Sequence, residues 1–195
     1  MKRPERNFSE RNFAEYYIEK HTAMNIKLGN SYAAKLLNRG FKRGRILDAG
    51  CGFGAMAVVI AEAFPECEVT GIDISEPLLE YATASVKKKS LQDRVTFLKG
   101  DIINMEYEDD SFDVVFCINT VHLIESPDLV LGELERVCKP DGSLYIADLR
   151  RSWLKLFERE IAQALSFEEA KVHVGRSTLR EGIFSKDPLW WMFEV

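Results

Sequence analysis

Three glycines and a carboxylate within one short stretch, ILDAGCGFGAMA at residues 46–57, are the first sign of chemistry in this sequence. Asp48 follows an apolar run, and Gly50, Gly52 and Gly54 come next, before an alanine-rich segment. A glycine inside a regular element costs up to about 1 kcal/mol relative to alanine. Three of them within five residues therefore predict that a ligand approaches the backbone closely here.

The loop GCGFGA follows a predicted strand and opens a predicted helix, so its N–H groups and the positive helix end suit a polar or anionic group. The spacing Gly50-x-Gly52-x-x-Ala55 also satisfies a loose dinucleotide fingerprint. Asp48, however, would repel a pyrophosphate and suits a ligand that carries positive charge. An alternative of equal weight is that Asp48 only caps the amides of the loop.

The elements that must position this loop alternate between strand and helix after an N-terminal helical region, roughly residues 9–39. Five strands are predicted, in RILDAG, CEVTGIDI, VTFLKGD, FDVVFCINTV and GSLYIADLR, the last after a turn KPDG. Helices are predicted between them, one with Ser75 as its N-cap. This order predicts an α/β fold with a doubly wound, mostly parallel sheet and helices on both faces. Ligands of such sheets bind at the carboxyl ends of the strands.

Residues 41–150 resemble the class I S-adenosylmethionine-dependent methyltransferases. ILDAGCGFG is similar to the family's first motif, a hydrophobic strand followed by D-x-G-x-G-x-G. Four further stretches resemble the family's later motifs in the correct order, namely VTGIDIS, LKGDIINM, FDVVFCINTVHLI and LERVCKPDGSLYIAD. Five motifs in register are far more specific than any one of them.

The resemblance implies a Rossmann-like methyltransferase fold, with S-adenosylmethionine as cofactor and S-adenosylhomocysteine as product. It implies that Asp73 takes both ribose hydroxyls and that Ile74 packs against adenine. Asp101 would meet the adenine amino group and the Ile102 amide its ring, while Asn119 would line the methionine moiety.

The first motif would hold the amino-acid end of the cofactor against the backbone, through Asp48, Gly50, Cys51 and Gly52. Cys51 would offer its backbone and not a nucleophilic thiol. Spacing independently supports Asp73, which falls nineteen residues after Gly54 at the end of the neighbouring strand. A carboxylate there can take a vicinal diol.

Methyl transfer from a sulfonium mainly requires that nucleophile, methyl and sulfur are held in line. A general base is needed only when the acceptor must lose a proton. His122, just past Asn119, is the candidate base, and the alternative is that it packs beside the adenine. No other catalytic residue is assigned, and no metal site is predicted.

The composition of the chain argues against some classes of binding partner. The net charge of −5 and the pI near 5.4 provide no basic field for nucleic acid. The four cysteines contain no C-x-x-C pair, and no segment has the length and apolarity of a signal peptide or a membrane span. These features predict a cytoplasmic protein that acts on a small-molecule methyl acceptor, without nucleic acid or membrane partners.

We expect one domain over residues 1–195, with an N-terminal helical cap (1–40), a cofactor-binding core (41–150) and a helical segment plus terminal strand (151–195). The family normally closes its sheet with a hairpin, but LWWMFEV alone is a clear strand candidate here. Either the sixth strand is very short or the hairpin is trimmed, and we expect a trimmed hairpin. An exposed Trp190 or Trp191 would mark a homodimer contact or a substrate mouth. Arg150, Arg151 and Trp153 follow the fifth strand, where they would meet a carboxylate-bearing or aromatic acceptor. The alternative, favoured for at least one arginine, is that these residues begin a helix with its arginines on the surface.

Two other functions stay open at this point. A non-catalytic protein that binds S-adenosylmethionine or S-adenosylhomocysteine would share all of these motifs. A nicotinamide-dependent oxidoreductase would share the glycine spacing, although Asp48 and the later motifs count against it.

Overall fold

Strands and helices alternate along the chain as the sequence predicts. The computed structural model describes residues 7–151 and 164–195, so Trp153 lies outside the described residues. These residues contain seven strands, mostly parallel and flanked by helices, which confirms the predicted α/β fold class. The chain divides into two compact units, Met1–Asp101 and Ile102–Val195.

The first unit is a three-stranded parallel sheet in the order β3-β2-β1, with three helices. The last four residues of β1 are buried, as expected for the strand that leads into the glycine loop. Its elements are α1 (Arg11–Asn38), β1 (Arg43–Ala49), α2 (Ala55–Ala63), β2 (Glu66–Asp73), α3 (Glu76–Lys88) and β3 (Val95–Lys99).

Ser75 caps α3, as the sequence predicts. Its hydroxyl accepts the Leu78 N–H at 3.4 Å and donates to the Phe8 carbonyl at 2.5 Å. The cap therefore ties the segment before α1 to the end of β2.

The second unit orders its strands β4-β5-β7-β6, and only β4 and β5 are parallel. A short 3₁₀ turn, Val121–Leu123, follows β4. The other elements are β4 (Phe112–Ile118), α4 (Pro127–Val137), β5 (Cys138–Leu149), α5 (Phe167–Arg176), β6 (Ile183–Lys186) and β7 (Trp190–Glu194).

The expectation of a trimmed C-terminal hairpin is corrected. β7 pairs antiparallel with β5 on one side and with β6 on the other, so the hairpin is present. β6 is only four residues long, and Ile183 at its start is 70% exposed. So short a strand, lacking a buried apolar alternation, gives little sequence signal.

Two other details differ from the expectations. The predicted turn KPDG lies inside β5, where the register shifts, because Phe112 pairs with Cys138 but Val114 pairs with Ser143. Trp191 is buried and Trp190 is half-buried, so the described structure offers no fully exposed tryptophan on β7.

Gly54 is held by both its conformation and its surroundings. It precedes α2 with φ +70°. A Cβ atom there would lie 2.4 Å from Phe97 Cζ and 2.8 Å from Ala82 Cβ. The glycine therefore allows β3 and α3 to pack directly against the start of α2.

We predict that Gly54→Ala lowers the free energy of unfolding by about 3 kcal/mol, because it adds a clash to a left-handed backbone. Gly175→Ala in α5 is the matched control, since nothing lies within 4 Å of its Cβ position. That change should be neutral or stabilise by up to about 1 kcal/mol. Urea unfolding of both variants tests this, and equal effects would contradict the packing argument.

Candidate functional site

Asp73 joins two elements at the end of β2. Its Oδ2 accepts the Gly52 N–H and its Oδ1 accepts the Ser75 N–H, both at 2.8 Å. The backbone N–H of Ile74 also stabilises this carboxylate, which has about four acceptor positions in all. Asp73 therefore keeps capacity to accept a hydroxyl proton, as binding of a diol requires.

The glycine loop is tied to the same strand end. The N–H groups of Gly50 and Cys51 both donate to the Ile72 carbonyl, at 2.8 and 3.0 Å. Gly52 has φ +54°, and a Cβ there would approach only Leu78, at 3.9 Å. A glycine is therefore favoured at position 52 by its left-handed backbone conformation. The space beside it is open, so a ligand can reach the main chain there.

Asp48 contacts the first turn of α2, whereas its predicted role as a cap for the amides of the glycine loop stays a prediction. The N-cap of α2 is Gly54, which has no side chain, and Asp48 accepts the backbone N–H of Ala57 in its place. Asp48 is only 4% exposed, and its Oδ2 has no hydrogen-bond partner among the described residues. A buried polar atom without a partner is costly, so it marks a place where a ligand donor fits.

The acidic groups of this loop hold protons unusually tightly. Burial, and to a lesser extent the neighbouring charge of Asp73, raise the pKa of Asp48 to about 7. Burial also raises the pKa of Asp73, although the N–H groups that it accepts act in the opposite direction. Burial raises the pKa of the Cys51 thiol well above its usual value, which argues against a nucleophilic role.

Two more predicted residues lie beside Asp73. Ile74 is 65% exposed, an unusual state for isoleucine that suits a flat apolar group packed on it. Gly100 donates its N–H to the Asp73 carbonyl at 3.1 Å, which brings the exposed Asp101 to the same strand end. The first unit therefore brings together the predicted residues Asp48, Gly50, Cys51, Gly52, Asp73, Ile74 and Asp101.

Ile102 and Asn119 belong to the second unit. Ile102 is buried. Asn119 follows β4 with φ +58°, and its N–H donates to the Ala147 carbonyl at 2.7 Å. The roles expected for both residues toward a cofactor stay predictions.

His122 pairs with Asp148, a residue that the sequence alone does not identify. Its Nδ1 lies 2.6 Å from Asp148 Oδ1, and its backbone N–H donates to Asp148 Oδ2 at 2.7 Å. Both side chains are buried, at 3% and 0% exposure. The sequence does contain a signal for Asp148 as a site residue, because this aspartate ends the apolar run LYIAD just as Asp48 ends the apolar run of β1.

Asp148 fixes the orientation of the imidazole. With Nδ1–H donated to the carboxylate, Nε2 is left as the acceptor. Asp148 also accepts the Leu149 N–H at 2.6 Å, so one carboxylate serves three donors.

We predict that Asp148→Asn lowers the free energy of unfolding by about 2 kcal/mol, because an amide cannot accept all three hydrogens and leaves a buried donor unpaired. Asp113→Asn is the control, since Asp113 forms a half-exposed ion pair with Lys139 and should cost less than about 1 kcal/mol. Denaturant unfolding separates the two, and equal losses would contradict the role given to Asp148.

The arginines after β5 differ from each other. Arg151 forms an ion pair with Glu169, which connects the end of β5 to the first turn of α5. Arg150 donates to the Pro188 carbonyl at 3.1 Å, and its buried Nε has no partner among the described residues. Contact of either residue with an acceptor stays a prediction.

The described residues contain no cluster of side chains suited to a metal ion. No helix within residues 7–151 and 164–195 is long and apolar enough to cross a membrane.

Comparison with known proteins agrees with the residues at this site. Residues 41–190 match the model of a methyltransferase domain. The 27-O-demethylrifamycin SV methyltransferase of Amycolatopsis mediterranei is 38% identical over 104 residues, 53% of this chain and 38% of that protein. The sterol 24-C-methyltransferase of Schizosaccharomyces pombe is 34% identical over 131 residues, 67% of this chain and 34% of that protein.

The fold also has a solved counterpart. A Methanococcus maripaludis structure assigned to the S-adenosyl-L-methionine-dependent methyltransferases superposes with a TM-score of 0.80 at 18% identity, over 99% of this chain and 96% of that one. The present chain spans about a third of the length of the curated relatives it matches. From the domain match and the shared fold, the chain belongs to the class I S-adenosylmethionine-dependent methyltransferases.

Proposed function

We propose that this protein is an enzyme that transfers the methyl group of S-adenosylmethionine to a small-molecule acceptor. The observation that carries the proposal is the carboxylate of Asp73, fixed by two backbone N–H groups beside the glycine loop with acceptor capacity to spare. The family's cofactor offers the matching groups, namely two ribose hydroxyls and an ammonium.

In this proposal the first unit binds the nucleoside and amino-acid parts of the cofactor. Asp73 accepts the hydroxyl protons, and the exposed Ile74 packs against the base. The open backbone at Gly52 and the free oxygen of Asp48 receive the amino-acid end. A pyrophosphate would fit poorly beside one buried and one half-buried carboxylate, which counts against a nicotinamide cofactor.

The bound cofactor supplies an electrophilic methyl group on a positively charged sulfur. The protein therefore has to position the acceptor and, for a hydroxyl acceptor, remove its proton. We assign the second task to His122, whose Nε2 can accept a proton while Asp148 stabilises the imidazolium that forms.

A small-molecule acceptor is supported by the relatives, two of which are named for a rifamycin and for sterols. The net charge of −5 also disfavours a nucleic acid. Localisation in the cytoplasm and dimer formation stay expectations from the sequence.

We predict that S-adenosylhomocysteine raises the unfolding midpoint of the protein by several degrees. A ligand at about 100 times its Kd adds about 2.7 kcal/mol, and each kcal/mol is worth about 2–4 °C for a protein of this size. Asp73→Ala should abolish the shift, whereas Asp93→Ala, at an exposed aspartate, should retain it. A shift with NADH alone would overturn the methyltransferase assignment.

A second prediction separates an enzyme from a non-catalytic binding protein. With radiolabelled S-adenosylmethionine and a panel of hydroxyl acceptors, wild type should transfer label, and His122→Asn should lower kcat by about 10²–10⁴ with unchanged S-adenosylhomocysteine affinity. His173→Asn is the matched control, because His173 forms a similar pair with Asp128, also at 2.6 Å, between α5 and α4. Equal losses in both variants would remove His122 from the mechanism, and no transfer to any acceptor would favour the binding protein.

A further inference from the structure

Asp48 sits in an environment that disfavours its charge. It is 96% buried at the end of β1, its Oδ2 has no hydrogen-bond partner among the described residues, and one backbone N–H, from Ala57, serves the carboxyl group. That single N–H is the one group here that stabilises a negative charge on Asp48. A buried carboxyl group with so little support binds a proton instead.

Among the groups that face Asp48, the carboxylate of Asp73 adds to this effect and the amide of Ala57 opposes it. From β2 comes the carboxylate of Asp73, and from the glycine loop the thiol of Cys51. From α2 comes only the Ala57 amide. Within the described part of the chain, no lysine, arginine or histidine contributes a positive charge to Asp48.

We propose that the Asp48 carboxyl group releases its proton to solvent when the positively charged end of the cofactor binds at the glycine loop, so that pH controls cofactor affinity. The O–H bond of the acid breaks, the proton passes to the buffer, and the carboxylate that remains faces the cation. This inference rests on the proposed function, because it requires a cationic ligand at the site.

The direction of the effect follows from burial. Because the pKa of Asp48 lies at about 7 in the empty protein, the acid is largely protonated at pH 6 and largely ionised at pH 8. Binding a cation to the ionised form needs no proton release, whereas binding to the protonated form does. Affinity should therefore rise with pH across this range.

Isothermal titration calorimetry with S-adenosylhomocysteine, which carries the ammonium group, tests the proposal. Titrations in phosphate and in Tris at one pH give the number of protons released, because the two buffers differ in ionisation enthalpy. We expect about half a proton per ligand at pH 7 and about a tenth at pH 8, with Kd about tenfold weaker at pH 6 than at pH 8. Asp48→Asn should release none, and Asp93→Asn should behave as wild type.

The empty protein offers a second readout that does not depend on the ligand. Between pH 4 and 7 the folded protein keeps the proton on Asp48, which the unfolded chain has lost. The wild-type unfolding midpoint should therefore fall as pH rises through this range, relative to that of Asp48→Asn. This measurement remains decisive for Asp48 even if the variant binds ligand poorly.

The outcomes are distinguishable. Binding of S-adenosylhomocysteine without proton release between pH 6 and 8 would overturn this inference and leave the proposed function standing. The same proton release from Asp48→Asn would also overturn it, because the proton would come from another group. If Asp48→Asn does not fold, the wild-type proton count and its pH profile decide alone. Absence of binding at every pH would instead refute the proposed function.

Discussion

The carboxylate of Asp73 is the interaction on which the candidate site depends. It bonds Gly52 of the glycine loop and Ser75 at the start of α3, so one side chain sets the spacing between two structural elements. Ser75 in turn holds the Phe8 carbonyl, which extends the same network to the segment before α1. A residue that binds ligand in the family therefore also assembles the loop that surrounds the ligand.

This arrangement concentrates negative charge where the fold provides few compensating groups. Asp48 and Asp73 both have raised pKa values, and burial is the first cause for each. Such sites are unfavourable in the empty protein and become favourable when a cation enters. We therefore expect this site to favour a ligand that carries positive charge, because such a ligand lowers the energy cost of the two carboxyl groups.

Much of the fold could be predicted because its signals are local. The helix α2, the cap at Ser75 and the strand ends at Asp48 and Asp73 all follow from residue types within a few positions of one another. β6 was not predicted, because four residues without buried alternation look like a loop. The pair of His122 and Asp148 was not predicted either, because its partners are 26 residues apart and meet only when β4 and β5 align. The sequence therefore predicts the glycine loop, and it predicts His122 but not its partner Asp148.

The packing of Phe97 against the glycine loop has a consequence for folding during synthesis. Its ring fills the space beside both Gly54 and Gly71, so the backbone of the loop has its final neighbour only when β3 is in place. A chain emerging from the ribosome contains the whole glycine motif roughly forty residues before it contains that ring. During this interval the glycine loop lacks the packing that Phe97 gives it, so we expect its backbone to reach its final conformation only after the third strand has docked.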